Sequence, residues 1–186
     1  NNEAMNVATR FATKDKVAAI LGPATSGAFK AAIAISDQYK VPMITCSGTA
    51  NDITVNAQGK LNEWVVRTCY SDNFQGTVMG TFAAEELNAK KVIILYDNTS
   101  DYSNGLSDAF EESFTSKGGT IVSKESFSST DNDYSPVLTK IKDMDCDAIY
   151  LPAYYESVGP MIKQARALGI TVPFLGADGY DSEKML

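Results

Sequence analysis

Short apolar runs alternate with longer amphipathic stretches along the whole chain. The short runs predict strands: Val17–Leu21 is typical of a strand buried on both faces of a parallel sheet, whereas Thr120–Phe127 alternates and is expected to be more exposed. The longer stretches have apolar residues three and four positions apart, which predicts helices with one buried face. The predicted strands are Val17–Leu21, Val41–Cys46, Trp64–Arg67, Lys91–Tyr96, Thr120–Phe127, Ala148–Leu151 and Pro173–Gly176. The predicted helices cover residues 1–13, 26–39, 74–87, 102–116 and 155–168, with a further helix capped by Ser135 and beginning at Pro136.

Two of these helices have especially well-defined apolar faces. In the helix over 102–116, the residues expected to face the core are Leu106, Ala109, Phe110 and Phe114. In the helix over 74–87, the residues expected to face inward are Phe74, Val78, Phe82 and Ala83.

The repeated strand–helix alternation predicts βαβ units and mainly parallel sheets. A polar stretch at residues 51–63 interrupts the rhythm, and the Trp64–Arg67 strand after it can carry the chain into a second sheet. We therefore place residues 1–68 in a first lobe and residues 69–186 in a second, with a crossover near residues 67–71. The loops that follow the strands should meet at one sheet edge, where open α/β sheets bind ligands.

Composition narrows the function mainly by exclusion. The 186 residues are 44% apolar and carry a net charge of −7, which argues against nucleic acid as a partner. No apolar run is long enough to span a bilayer. The chain has no histidine, which excludes His-based catalysis and His-ligated zinc. Its three cysteines have no C-x-x-C spacing; three buried free thiols are favoured over one disulfide plus one thiol. We expect no catalytic residue, no metal and no cofactor.

Two loops are candidates for ligand binding. Gly22–Gly27 joins a strand to a helix and places the Thr25 and Ser26 hydroxyls beside the free N–H groups of the helix start, which suits a carboxylate. The alternative is that Ser26 is only an N-cap. Thr45–Asn51 follows the next strand, and Gly48 would let its backbone approach a ligand closely. The alternative there is a tight turn without a binding role.

A series of motifs makes the chain similar to the branched-chain amino-acid binding proteins of ABC importers. These motifs are Gly22-x-x-x-Ser26-Gly27, Val41-Pro-Met-Ile-x-x-Ser47, Arg67-Thr68-x-x-x-Asp72-x-x-Gln75-Gly76, Tyr102-x-x-Gly105, Gln164-Ala-Arg166-x-x-Gly169 and Phe174-Leu-Gly-Ala-Asp-Gly179. The resemblance implies an α/β, two-lobed type I periplasmic-binding-protein fold. Its parallel sheets would be flanked by helices in three layers (α/β/α), and the chain would be truncated at both ends.

The resemblance also implies which residues bind the ligand. In the first lobe they are Ala24, Thr25, Ser26, Gly48, Thr49 and Ala50. By this match, Ser26 and the Ala50 N–H hold the α-carboxylate, and the Gly48 carbonyl accepts from the α-ammonium. Family members often have Ala-Thr where this chain has Thr49-Ala50, so the chain lacks a hydroxyl at the second of these positions.

In the second lobe, the resemblance assigns Tyr102 and Tyr154 to the aromatic residues that close over the ligand and Asp178 to the carboxylate that faces its ammonium. Branched-chain binders typically have the longer Glu at that position. The alternatives are that the tyrosines are ordinary packing residues and that Asp178 only stabilises a turn.

The function implied by the resemblance is capture of an amino acid, branched-chain or otherwise aliphatic, outside the cytoplasm. The protein would be periplasmic or a cell-surface lipoprotein, and it would deliver the ligand to the membrane permease of the importer. A receptor ectodomain and an amide-sensing regulator share this fold and stay open as alternatives. A Rossmann-type enzyme is disfavoured, because the glycine fingerprint is missing. Self-association through an unpaired sheet edge is also expected.

Overall fold

A computed structural model describes residues 1–185, which form seven strands and six α-helices. In chain order these are α1 (Asn2–Arg10), β1 (Ile20–Leu21), α2 (Ser26–Tyr39), β2 (Met43–Thr45), β3 (Val65–Arg67), α3 (Asp72–Thr81), β4 (Lys91–Asp97), α4 (Asp101–Ser116), β5 (Thr120–Phe127), α5 (Ser135–Ile141), β6 (Ala148–Tyr150), α6 (Tyr155–Ala167) and β7 (Phe174–Leu175). Turns of π-helix extend α1 over Phe11–Asp15 and α3 over Phe82–Glu86. Short 3-10 turns lie at Asp178–Tyr180 and Glu183–Met185.

The chain divides into two compact units, the first formed by Asn1–Asp72 and the second beginning at Asn73. The first unit contains a parallel sheet in the order β1-β2-β3. One row of residues across this sheet consists of Ile20, Met43 and Val65, all buried. They form a core with Ala8 of α1 and with Phe29 and Ala32 of α2.

The opposite face of this sheet is open. The next row across it is Leu21, Ile44 and Val66, in which Leu21 is 82% and Val66 51% exposed. The prediction that the first strand is buried on both faces is therefore wrong. Both described helices of the unit, α1 and α2, pack on the other face, so the expected three-layer arrangement is not formed by the described residues here.

The second unit does have three layers. Its parallel sheet has the order β5-β4-β6-β7. Val92 and Ile94 of β4 face a core formed with α4, whereas Ile93 and Leu95 face a core formed with α5 and α6. All four side chains are fully buried, so β4, which was predicted as a strand, is covered on both sides. The α4 residues Leu106, Ala109, Phe110 and Phe114 are buried as predicted.

The inward face of α3 differs from the prediction. Phe74, Val78 and Phe82 are 61%, 50% and 41% exposed, whereas Ala83 is buried. The face that packs against α4 instead contains Gly76 and Gly80. A Cβ added at Gly76 would lie 2.6 Å from the Ala109 Cβ, and one at Gly80 2.8 Å from the Ser113 Cβ. The two helices approach too closely for larger residues, so the apolar stripe turns outward.

Several smaller predictions also have clear outcomes. Helix α2 has the predicted bounds, but most strands are one or more residues shorter than predicted. Ser135 is not the cap of α5: it is the first residue of the helix, and its N–H donates to Asp133. The three cysteines are free thiols as favoured, but Cys46 is exposed and the other two are half-buried. Among residues 1–185, no helix is long and apolar enough to cross a membrane.

Candidate functional site

The start of α2 presents free backbone donors. Thr25 is the N-cap residue, with an extended backbone, and the first helical hydrogen bond runs from the Phe29 N–H to the Thr25 carbonyl at 2.9 Å. The N–H groups of Ser26, Gly27 and Ala28 precede that bond. Such groups, together with the helix dipole, favour an anion at this position.

Ser26 joins this helix start to the loop after β2. Its Oγ accepts hydrogen bonds from the Thr49 and Ala50 N–H groups, both at 3.1 Å, and the residue is only 1% exposed. Because both lone pairs of the oxygen are used, the hydroxyl hydrogen remains to be donated. The role of a simple N-cap is excluded, since Thr25 occupies that position. The Ala50 N–H, expected to face a ligand, here donates to Ser26.

Gly48 and Thr49 are held tightly within the same loop. The Gly48 N–H donates to Thr45 Oγ1 at 2.7 Å, and its carbonyl accepts from the Cys69 thiol at 3.5 Å. Thr49 Oγ1 is buried and has no hydrogen-bond partner within residues 1–185. Family members often have a Thr at the position of Ala50, so the Thr49 hydroxyl of this chain lies one residue earlier in the sequence.

The other two predicted residues of this unit lie at its surface. Ala24 and Thr25 are both exposed, and the Thr25 side chain makes no capping hydrogen bond. The Ala24 carbonyl accepts from the Ser47 hydroxyl at 2.8 Å, which ties the two loops together. All six predicted residues thus belong to two adjoining loops, as expected from neighbouring parallel strands. We call this group of residues the donor half-site.

Arg67 supports the donor half-site and was missed as a site residue by the sequence analysis. Its Nη1 donates to the carbonyls of Thr49 and Ala50 at 3.1 and 2.7 Å. The Asp72 N–H donates to the same Thr49 carbonyl at 2.9 Å. With both carbonyls held on one side, the Thr49 and Ala50 N–H groups point towards Ser26. The signal was present in the Arg67–Gly76 motif, although not as a binding role.

The second unit contains a cluster around Asp178, which we call the acceptor half-site. Asp178 follows β7 and begins a 3-10 turn. Its Oδ1 accepts hydrogen bonds from the Tyr102 hydroxyl at 2.6 Å and from Gln75 Nε2 at 3.0 Å. Its Oδ2 has no hydrogen-bond partner, and the carboxylate has no ion-pair partner, within the described part of the chain. One oxygen of a carboxylate held by neutral groups is therefore available to a cation.

Tyr102 is a buried member of this cluster, with 2% exposure. Burial, followed by the charge and hydrogen bond of Asp178, raises the pKa of Tyr102 far above its usual range. The phenol therefore stays protonated and donates to Asp178. Its oxygen accepts from the Gly179 N–H at 2.8 Å. A Cβ at Gly179 would lie 2.8 Å from the Ala153 carbonyl oxygen, so this close approach requires glycine.

Tyr154 completes the aromatic part of the cluster. Its ring stacks on that of Tyr102 with centroids 4.7 Å apart and an interplanar angle of 13°. Tyr154 is half-buried, whereas Tyr102 is enclosed beneath it. The structure brings Tyr102, Tyr154 and Asp178 into one cluster, in which Tyr102 orients Asp178 rather than covering an open surface. Gln75 was missed as a site residue, although it too lies in the motif that begins at Arg67.

No group of three or more Cys, Asp or Glu side chains within residues 1–185 is placed to hold a metal ion. The contacts described above offer a ligand hydrogen bonds and charge. The donor half-site presents N–H and O–H groups, and the acceptor half-site presents a carboxylate oxygen beside stacked neutral rings.

Comparison with known proteins gives one consistent family. The model of the periplasmic binding protein family matches residues 1–185. A Leu/Ile/Val-binding protein, BraC3, from Rhizobium johnstonii is 32% identical over 171 residues, which are 90% of this chain and 44% of that protein.

Two solved structures have the same fold. The branched-chain amino acid transporter substrate binding protein LivJ from Streptococcus pneumoniae, in complex with isoleucine, has a TM-score of 0.90 and 40% identity. The leucine binding protein LivK from Thermotoga maritima has a TM-score of 0.92 and 38% identity. Each match covers 99% of this chain and 51% of the other. The chain spans about half the length of its relatives, and it belongs to the periplasmic binding protein family.

Proposed function

We propose that this chain is part of an extracytoplasmic solute-binding protein that captures an amino acid and delivers it to the membrane permease of an ABC importer. Branched-chain and other aliphatic amino acids are the first candidates for the ligand. The protein would reside in the periplasm or at the cell surface as a lipoprotein. Binding and release, without any change of covalent bonds, are the whole of the proposed activity.

The observation that carries this proposal is the arrangement of Asp178. Tyr102 and Gln75 both donate to Oδ1, so the carboxylate is fixed in orientation while Oδ2 stays available. An α-ammonium is a small cation whose N–H groups form short, strong bonds to such an oxygen. Asp178 is shorter than the Glu typical of branched-chain binders, so the ammonium would sit nearer the turn at Asp178–Tyr180.

The donor half-site supplies the complementary chemistry. The N–H groups at the start of α2 and the hydroxyl hydrogen of Ser26 suit the α-carboxylate. Both poles of a zwitterion must find fixed partners, because an unpaired charge taken out of water is strongly disfavoured. An amino acid carries both groups, a carboxylate suited to the donor half-site and an ammonium suited to the acceptor half-site.

The relatives support this assignment of ligand class. LivJ from Streptococcus pneumoniae was crystallised with isoleucine, and BraC3 is named for leucine, isoleucine and valine. The two half-sites occur in loops and turns that correspond to the motifs shared with that family. The carboxylate of Asp178 disfavours an amide-sensing role, since a neutral amide gains little from a negative partner.

Calorimetric titration of the full-length protein with each common amino acid tests the proposal. We expect at least one aliphatic amino acid to bind, and Asp178→Asn to weaken it by about a hundredfold, the loss expected for a charged hydrogen bond. The matched control is Asp181→Asn, next to the same turn. Absence of binding to every amino acid would reject the proposal, and unchanged affinity in Asp178→Asn would favour the amide-sensing alternative.

A further inference from the structure

Gln75 lies in the first turn of α3, far along the chain from the residues that it contacts. Its Nε2 donates to Asp178 Oδ1 at 3.0 Å, beside the bond from Tyr102. Donation by Nε2 fixes the side-chain amide, because only the NH₂ group can donate to an ionised carboxylate. The position of the amide oxygen is therefore fixed as well.

That oxygen is the unusual feature. Gln75 Oε1 is buried and has no hydrogen-bond partner within the described part of the chain. Buried polar atoms are nearly always paired, and an orphaned acceptor is costly to keep. Tyr102 and Asp178 cannot relieve it, since the Tyr102 proton is already donated to Asp178. The amide that donates to Asp178 thus carries an acceptor whose donor the described residues do not supply.

We infer that Gln75 is a ligand-binding residue that accepts an N–H from the ammonium of the bound amino acid while it orients Asp178. This inference rests on the proposed function. The ammonium would then donate to Asp178 Oδ2 and to Gln75 Oε1, and the resemblance assigns it the Gly48 carbonyl as a third acceptor. Three acceptors match the three N–H groups of a primary ammonium, so the protein selects primary amino acids over N-methylated ones.

Two other roles for Gln75 are distinguishable from this one. A residue that only orients Asp178 would affect every cationic ligand alike, whatever the number of its N–H groups. A residue that only packs would affect the stability of the fold and not the choice of ligand. Discrimination between a primary amine and its N-methyl derivative is therefore the readout that belongs to the inferred role.

The test compares an amino acid that binds the full-length protein, L-leucine first, with its N-methyl derivative by calorimetry. We expect the wild type to prefer the primary amine by at least about tenfold, the value of one hydrogen bond to a charged group. Gln75→Met, of similar length but without the amide group, should weaken binding of the primary amine by about tenfold to a hundredfold and remove most of the preference. The matched control is Gln38→Met on the exposed side of α2, which should change neither quantity.

The outcomes separate the two proposals. If no amino acid binds the wild type, the proposed function itself fails. If an amino acid binds but the wild type shows no preference, or Gln75→Met keeps the full preference, the role of Gln75 is overturned and the proposed function stands. Because the wild-type comparison needs no variant, it decides against the inference even if Gln75→Met does not fold.

Discussion

The hydroxyl of Tyr102 donates a 2.6 Å hydrogen bond to Oδ1 of Asp178, a residue 76 positions later in the chain. Tyr102 lies in the first turn of α4, the helix after β4, and Asp178 follows β7. The bond therefore joins the segments that follow two strands of the same sheet. The Gly179 N–H donates to the same hydroxyl at 2.8 Å. The phenol therefore fixes both the side chain and the backbone of the turn that presents the carboxylate.

Removal of this hydroxyl should affect binding more than stability. Tyr102→Phe keeps the stacked ring but leaves Asp178 Oδ1 held by Gln75 alone and the Gly179 N–H without its acceptor. We expect amino-acid affinity to fall by about tenfold, in keeping with about 1.5 kcal/mol for a hydrogen bond to a charged group. Calorimetry measures the change, and Tyr39→Phe on α2 is the control. Equal affinity in Tyr102→Phe and the wild type would mean that the bond does not orient Asp178.

Alkaline pH should reveal the shifted pKa of Tyr102. The folded protein keeps the phenol protonated above its usual pKa of 10.0, whereas the unfolded chain loses the proton there. The raised pKa thus gives stability that is fully present below pH 10 and declines as the pH rises above it. We expect the urea midpoint to fall as the pH rises above about 10, and to fall less in Tyr102→Phe. Equal slopes in the two proteins would contradict this origin.

Arg67 should prove necessary for the geometry of the donor half-site. Its Nη1 donates to the carbonyls of both Thr49 and Ala50, and the shorter lysine side chain would place its ammonium short of them. We expect Arg67→Lys to weaken amino-acid binding by about tenfold and to lower stability by about 1 to 2 kcal/mol. Calorimetry and urea unfolding measure the two effects. Arg10→Lys, at an exposed position of α1, is the control, and an equally small effect of both variants would exclude this supporting role.

The sequence predicted the elements better than it predicted their faces. The amphipathic period located α2 and the fully apolar run located β4, because local pattern alone determines both. The same period placed Phe74, Val78 and Phe82 in the core, and it failed because Gly76 and Gly80 bring α3 against α4. Apolar periodicity does not report how closely two helices approach.

In the candidate site, too, some relationships were predictable from the sequence and others were not. The proximity of Ser26 to Thr49 and Ala50 was predictable because neighbouring parallel strands end at one edge of the sheet. The contacts of Arg67 and Gln75 were not predictable from the sequence, because no spacing rule connects them with their partners. The partners of Arg67 lie 17 and 18 residues away, and the partner of Gln75 lies 103 residues away. Both residues belong to the short motif Arg67–Gly76: Arg67 supports the donor half-site, and Gln75 supports the acceptor half-site.

Low pH should reveal a second pH-dependent contact, at the amino ends of β4 and β6 in the second unit. Asp147 Oδ2 accepts from the Lys90 and Lys91 N–H groups at 2.7 and 2.8 Å. These two backbone bonds lower the pKa of Asp147 below its usual 3.8. A lowered pKa gives stability that is present above pH 3.8 and is lost as the pH falls through the folded-state pKa.

We therefore expect Asp147→Ala to be less stable than the wild type at neutral pH, with a difference that narrows below about pH 4. Urea unfolding at the two pH values measures it. Asp145→Ala is the control: that carboxylate pairs with Lys91 at 2.6 Å but is 86% exposed, so its loss should change little at either pH. A difference for Asp147→Ala that is constant with pH would show that the backbone hydrogen bonds do not depress its pKa.

Calorimetry of the full-length protein with L-leucine and its two single-pole analogues tests most directly whether both poles of an amino acid are bound. Isocaproate retains the carboxylate and side chain without the ammonium, and isoamylamine retains the ammonium and side chain without the carboxylate. We expect leucine, or whichever aliphatic amino acid replaces it, to bind at least about a hundredfold more tightly than either matching analogue. An analogue that binds as tightly as the parent amino acid would show that the missing pole has no partner, contrary to the roles given to Ser26 and Asp178.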